Sequence, residues 1–398
     1  MATLTADVVV VGAGPAGAAT ALMLAPFHRT LLVDRSDPAG ATQAAPCIGE
    51  SLPAAARRLL RDMGVWEDFL TQGHAPCHAA RSLWGGPAPI WADTVRDPDG
   101  PGWHLDRARF DGWLRQWASA RGAALVAPAR VMDLTPTQDG WRLALRRHGR
   151  ALDLVARFVV DAGGRAAPLA RALGQRRQAG DRLVCRWCHG EASGDAGVTV
   201  TVATPDGWWY SAPLPAGRRV LAFHTDADLP LAKALAETAR LVDHARGNAG
   251  LADLLTHVDF RPVAKAGYCA AHSSWLERTA GPGWLAVGDA ALACDPLSSQ
   301  GLLNALYSAV MAAKAVRRAF AGDAAAVAAY HGIMARVLRA YRHHLAAWYA
   351  LEKRWPDQPF WARRHARGDG RDIDHATPAG LPLSLRAADQ ATSLQVRT

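Results

Sequence analysis

Gly12-Ala13-Gly14-Pro15-Ala16-Gly17 closes a run of valines and opens a run of alanines. Glycines at this spacing let backbone amides and the positive end of a helix approach a pyrophosphate with no side chain in between. Asp34 follows Gly14 by twenty residues, with Arg35 next to it. A carboxylate at the end of a second strand can accept both hydroxyls of a ribose. The plain alternative is a glycine-rich turn without a ligand, and an acid at that distance argues against it. NAD and FAD satisfy this half of a site equally.

The choice between them falls to two stretches far downstream, Trp284-Leu285-Ala286-Val287-Gly288-Asp289-Ala290-Ala291 and Asp295-Pro296-Leu297-Ser298-Ser299-Gln300-Gly301-Leu302. They read as a buried strand, an acidic turn at Gly288 and Asp289, and a helix that starts at Gly301 after Pro296. An acid in that position can accept a hydrogen bond from a ribityl hydroxyl, and a helix start presents amides to the negative charge that develops on a reduced flavin ring. The alternative is an ordinary N-capped helix after a tight turn. No second glycine fingerprint serves a nicotinamide nucleotide, so a reductant of the NAD(P)H type must bind transiently or another protein must deliver reduced flavin.

Other reactive residues point to less. His272, His343 and His344 read as solvated or hydrogen-bonded histidines. No grouping of His, Cys, Asp and Glu has metal-ligand spacing, and neither a nucleophilic triad nor a carboxylate pair is evident, so no catalytic residue is assigned. Cys185-Arg186-Trp187-Cys188-His189 matches the spacing of c-type haem attachment. It lies in an alternating stretch, and extended residues three apart face opposite sides, so the two sulfurs cannot grip one ligand.

The elements that must position these residues follow from periodicity. Thr3 to Val11 is a buried strand, Pro15 to Leu24 a helix and Thr30 to Asp34 a strand, giving a β-α-β unit. Trp141 to Leu145, Leu152 to Asp161, Val198 to Val202, Trp208 to Leu214 and Arg219 to Phe223 read as strands of a mostly β central region. Trp284 to Val287 returns to α/β, followed by a helix with Leu302, Ala305, Leu306, Ala309, Val310 and Ala313 on one face. A long helix follows, with Asp323 as N-cap, Val327, Tyr330, Met334, Val337, Tyr341, Leu345 and Trp348 along one stripe, and Pro356 as its end. Past Arg367 the tail is polar and expected to be loosely ordered.

With 398 residues, 50% hydrophobic and 20% charged, the chain holds two or three packed units. The formal charge of +9 suits anionic partners, but the basic residues are scattered and lack interleaved aromatics, which argues against nucleic acid. The uncharged run Val8 to Phe27 holds Gly12, Gly14, Pro15 and Gly17, so a membrane helix is not expected. Met1 to Asp7 lacks the basic residues of a signal peptide. With only six cysteines, a reducing compartment is expected, and the location expected is the cytoplasm.

Taken together, the Gly12 fingerprint, Val160-Asp161-Ala162-Gly163-Gly164-Arg165, and Gly288-Asp289 with Pro296 and Gly301 resemble the flavoprotein monooxygenases of the aromatic-hydroxylase fold and their relatives, the flavin-dependent halogenases. The likeness implies that Arg107, in Leu105-Asp106-Arg107-Ala108-Arg109-Phe110-Asp111, reaches the flavin or its phosphates from a helix start. It also implies that Val131 sits by the adenine, and that Ala162 and Gly163 contact the cofactor. Cys47-Ile48-Gly49-Glu50-Ser51-Leu52-Pro53 looks like the halogenase loop beside the isoalloxazine ring, which makes Glu50 and Ser51 cofactor contacts. Asp206-Gly207-Trp208-Trp209-Tyr210-Ser211-Ala212-Pro213 resembles the halogenase tryptophan motif, with Tyr210 in place of the second tryptophan. The lysine that follows the halogenase loop is replaced, Arg57 and Arg58 being nearest. A permanently charged guanidinium is a poor substitute for that amine.

Within this family the chain most resembles the flavoproteins that mature tryptophylquinone enzymes, of the quinohemoprotein amine dehydrogenase or lysine and glycine oxidase type. Gly49 to Pro53, Asp295 to Gly301, Tyr349-Ala350-Leu351-Glu352-Lys353-Arg354-Trp355 and Phe360-Trp361-Ala362-Arg363-Arg364 carry that likeness. It implies a polypeptide substrate that carries a tryptophan, and other maturation proteins as further partners. Trp208, Trp209 and Tyr210 are candidates for the wall against which an indole lies, although most of the fifteen tryptophans must be packing.

The expected architecture is therefore α/β: a glutathione-reductase-type FAD-binding domain (residues 1–75, 105–165 and 276–322), an inserted β-rich substrate domain (76–104 and 166–275), and a C-terminal helical region with tail (323–398). The expected activity is a single-component FAD monooxygenase in which reduced flavin and dioxygen oxidise an aromatic ring. A small-molecule hydroxylase or halogenase is the first alternative, and a flavin-bearing assembly factor without catalysis the second.

Overall fold

The computed structural model describes residues 3–37, 48–93, 97–194, 197–263 and 265–368. Cys47 and the tail after residue 368 lie outside them. Thr3–Val11 forms the strand its valines dictate, flanked in parallel by Arg150–Asp161 on one side and Thr30–Val33 on the other. Ala124–Val126 and Trp284–Ala286 continue the sheet outward in parallel. Val8, Val9 and Val10 are fully buried, as strands covered on both faces require. The helix Pro15–Leu24 begins with proline at its first turn, where the missing amide costs nothing. The hairpin of Ala129–Thr137 and Gly140–Arg147 adds antiparallel strands to Arg150–Asp161.

A second eight-stranded sheet runs Arg261–Pro262, Leu183–Glu191, Arg218–Asp226, Gly207–Leu214, Val198–Thr204, Ala79–Leu83, Ile90–Asp93, with Gly267–Ala270 also paired to Leu183–Glu191. One face of it packs on the helices Thr238–Arg246 and Ala249–His257 through Trp209, Phe223, Leu241 and Leu251. Trp187, Trp208 and Ala222 on the other face join Trp348, Tyr349, Phe360 and Trp361 of the C-terminal helices. Those helices are tied to the sheet by polar bonds as well. Trp361 Nε1 donates to Thr204 O at 2.8 Å, Trp84 Nε1 to Trp348 O at 2.9 Å, and Arg364 pairs with buried Asp226 at 2.9 Å.

The helix Gly301–Phe320 buries Leu302, Ala305, Leu306, Ala309, Val310 and Ala313, the face read from spacing. The next helix, Ala326–Leu351, differs from expectation at both ends. Asp323 accepts the amide of Ala325 at 2.9 Å, so it turns the chain before the helix, and the cap position falls to Ala325. The end comes at Leu351 rather than at Pro356. The carboxylate of Glu352 accepts from Gly85 N at 3.0 Å and from Arg354 Nε at 2.8 Å, which holds Glu352 extended. Among the described residues, no helix is long and apolar enough to cross a membrane.

Candidate active site

At the glycine turn, sterics separate glycines that pack from one that leaves space. Gly12 has φ +108°, and a Cβ there would lie 2.2 Å from Ala162 O; one on Gly17 would lie 1.8 Å from Gly12 O. A Cβ on Gly14 would meet nothing within 4 Å. Asp34 leaves its strand with the carboxylate turned to this loop: Oδ2 accepts from Ala13 N at 2.6 Å and Oδ1 from Ser36 N at 2.7 Å. Arg35 beside it is exposed. Ala129 N donates to Asp34 O at 2.6 Å, which brings the half-buried Val131 to the same edge of the sheet.

Two further turns close on the first. Buried Asp161 accepts from Gly163 N at 3.0 Å and from Ala170 N at 2.8 Å, fixing Ala162 and Gly163 against Gly12. Gly288 donates its amide to Ser308 Oγ at 2.8 Å. Its own Cβ would come within 2.6 Å of Ala16 Cβ, so the Asp289 turn touches the first helix directly. Arg177 donates to the carbonyls of Asp289 at 2.7 Å and Ala290 at 2.9 Å, and Arg165 Nε stands 3.7 Å from the Asp289 carboxylate.

A cavity of about 620 Å³ joins these parts. One side is formed by Gly14, Pro15, Ala16, Glu50, Ser51, Arg107, Ala162, Asp289, Pro296, Gly301 and Leu302, the other by Cys185, Trp187, Trp208, Tyr210, His224, Tyr268 and Cys269. Gly12, Gly17, Gly163 and Gly288 shape the turns behind it, and Asp34, Arg35 and Val131 lie beyond its lining. Arg107 is the first residue of its helix. It donates to Gly49 O at 3.0 Å and pairs with Asp111 at 3.1 Å, so it ties the 48–52 loop to the helix. From that loop Glu50, buried, accepts from Gly49 N at 2.8 Å and meets His189 Nε2 at 2.9 Å. The pair couples the loop to the second sheet.

Trp208 and Tyr210 face the cavity; Trp209 does not. Strand side chains alternate, and Trp209 points into the opposite layer, where its ring lies 4.8 Å from Phe223. The same alternation separates Cys185, on the cavity face, from Cys188, in the other layer. His272, His343 and His344 are not part of the lining; the carbonyl of His272 accepts from Arg165. Not anticipated were Cys185, Trp187, His224, Tyr268, Cys269 and Cys294, all in the lining. His224 stacks on Trp208 with ring centroids 3.7 Å apart. The alternation in Leu183–Glu191 could have revealed Cys185 and Trp187, but the pairing of His224 with Trp208 depends on strand register.

Asp295, one residue before Pro296, is buried, with Tyr349 Oη donating to Oδ2 at 2.8 Å and Leu297 N to Oδ1 at 2.9 Å. Burial pushes its carboxyl from an ordinary 3.8 up to about 7. The fold thus favours the protonated form, so its contribution to stability is full below about pH 4 and is lost as pH rises through about 7. Melting temperature should fall across that window in the wild type, and Asp295→Asn should flatten the fall. An identical slope in the variant would assign the titration elsewhere.

A parallel sheet with a glycine turn, a second acidic turn and a cavity between them defines a dinucleotide-binding enzyme whose reactive face meets an aromatic-walled sheet. The FAD binding domain family model matches residues 5–340, and the chain belongs to that family. It is 31% identical over 389 residues to the putative FAD-dependent oxidoreductase LodB of Marinomonas mediterranea, covering 90% of this chain and 97% of that one. Among solved structures it is similar to CmlS, a flavin-dependent halogenase, with TM-score 0.78 and 25% identity over 99% of this chain and 70% of the other. It is also similar to QhpG, a peptidyl tryptophan dihydroxylase essential for tryptophylquinone cofactor biogenesis, with TM-score 0.73 and 27% identity over 94% and 82% of the two chains. The chain is an FAD-dependent oxidoreductase of the monooxygenase type.

Proposed function

We propose that this protein hydroxylates the indole ring of a tryptophan within a partner polypeptide during biogenesis of a tryptophylquinone cofactor. The observation that carries the reading is the cavity itself, where the Gly14, Asp289 and Gly301 turns face Trp187, Trp208 and Tyr210. The open space at Gly14 and at Gly301, where a Cβ would meet nothing within 4 Å, fits close approach of FAD phosphates and ring. Asp34 would hold the ribose, with Arg35 and Val131 near the adenosine. Arg107, Glu50, Ser51 and Leu302 would border the ring, backed by Pro296. Bound FAD, reduced by a transient NAD(P)H-type donor, supplies dioxygen activation. The protein's residues orient the aromatic substrate and exclude water. An indole is nucleophilic enough to need no strong base. The likeness to QhpG supports a polypeptide substrate, with other maturation proteins as further partners, and the location proposed is the cytoplasm.

The halogenase reading is weaker because Arg57 stacks 5.2 Å over Trp66 and Arg58 pairs with Asp99 at 2.8 Å. No lysine lines the cavity among the described residues. The test is anaerobic reduction of the holoprotein with an immature partner polypeptide, then admission of oxygen and mass analysis of that partner. Gain of whole oxygen atoms on a tryptophan is expected. A halogen adduct in the presence of halide would support the halogenase instead, and an unchanged mass after flavin reoxidation would leave an assembly factor that binds without oxidising.

A further inference from the structure

The motif Cys185 to His189 is left without a haem role, yet one of its sulfurs is placed for other chemistry. Cys185 lies directly opposite Cys269 on the adjacent antiparallel strand. Residues facing each other across such a pair have Cα atoms about 4.5–5.5 Å apart, inside the range that a disulfide spans. Both are thiols, and both line the cavity. Cys185 is almost completely buried, whereas Cys269 is half-buried and open to the cavity.

We propose that Cys185 and Cys269 form a peroxide-reactive dithiol in the wall of the active-site cavity and close to a disulfide when hydrogen peroxide is released there. Bound in this cavity, reduced FAD would supply hydrogen peroxide from dioxygen whenever no substrate is present, and Cys185 and Cys269 in the cavity wall would be exposed to it. The local environment assigns the roles. The Cys185 thiol hydrogen-bonds to the Cys269 sulfur, and this together with the nearby Arg165 charge lowers the pKa of Cys269. Desolvation raises that of Cys185. Cys269 is therefore the attacking sulfur, since the thiolate is the nucleophile.

In the first step the Cys269 sulfur attacks one peroxide oxygen, the O–O bond breaks, and water leaves with Cys269 as a sulfenic acid. In the second, the Cys185 sulfur attacks Cys269, a second water leaves, and the S–S bond forms. In sum, two thiols and one hydrogen peroxide yield a disulfide and two waters. The thiols of Cys294 and Cys188 are held protonated by burial, Cys188 up to about 12, and Cys188 lies on the far face of its strand. A closed bond would covalently fix the pairing of the strand carrying Trp187 with the strand carrying Tyr268, both in the cavity wall.

The test is independent of which ring the enzyme oxidises. Holoprotein is treated with added hydrogen peroxide, denatured in the presence of a thiol alkylator so that every remaining thiol reacts, and mapped by mass spectrometry. The expected product is a Cys185–Cys269 linked peptide pair that dithiothreitol reverses, with Cys188 and Cys294 alkylated. Cys185→Ser should leave Cys269 without a resolving partner, so that it advances to the sulfinic and sulfonic acids, and Cys294→Ser should leave the linkage intact. A disulfide to Cys294, or a Cys269 that stays alkylatable at peroxide levels that oxidise other thiols, would overturn the proposal. Because the wild type alone gives the linkage map, misfolding of a variant would not obscure the result.

Discussion

Gly14→Val should produce a folded protein that emerges without its yellow colour. Gly14 has φ −71°, a conformation that any residue adopts, and the space where a side chain would go is unoccupied by protein to 4 Å. A valine there blocks the approach of a pyrophosphate to the amides of the first helix. Flavin affinity should fall by a factor of about 100, or roughly 2.8 kcal/mol at 1.4 kcal/mol per decade. Gly12→Val differs in kind, because its side chain would run into the Ala162 carbonyl at 2.2 Å, and that chain should fail to fold. The ratio of flavin to protein absorbance, set beside a thermal melt of the apoprotein, separates the two. A Gly14→Val protein that retains stoichiometric flavin would place the cofactor elsewhere.

The second large effect distinguishes two neighbouring tryptophans. Trp208 and Trp209 are both almost completely buried, so truncating either to alanine should cost stability of about 3–5 kcal/mol. Only Trp208 borders the cavity, where it supports His224. Trp208→Phe should raise the KM for the proposed polypeptide substrate, whereas Trp209→Phe should leave KM unchanged while lowering the melting temperature. Equal effects of the two on KM would mean that the aromatic wall does not contact the substrate.

That distinction also marks what the sequence could and could not convey. The valine strand, the Pro15–Leu24 helix and the buried stripe after Gly301 follow from composition and period, and the structure places them where the residues indicated. Trp209 was legible too, since period-2 alternation puts it opposite Trp208, but three consecutive aromatics read as a single surface. The end of the long helix was not legible, because the stop is set by Gly85 and Arg354 gathering around Glu352, and Gly85 is a contact from 267 residues away. The Cys185–Cys269 and Glu50–His189 pairs were hidden for the same reason. Each joins strands or loops that are distant along the chain, and nothing local in either partner announces the other.

The C-terminal helices carry a consequence for how the molecule comes into being. The indole of Trp361 seats against Trp84 at 5.3 Å and donates to Thr204, so the layer behind Trp208 is finished by the helix Pro359–Gly368, which follows every strand of that sheet along the chain. At a synthesis rate of about 5–20 residues per second, that layer stays uncovered for several seconds after its strands have emerged from the ribosome. A nascent chain stalled ahead of Pro359 should therefore be sticky and chaperone-bound, and the aromatic wall should acquire its final shape only once the segment carrying Trp361 has emerged.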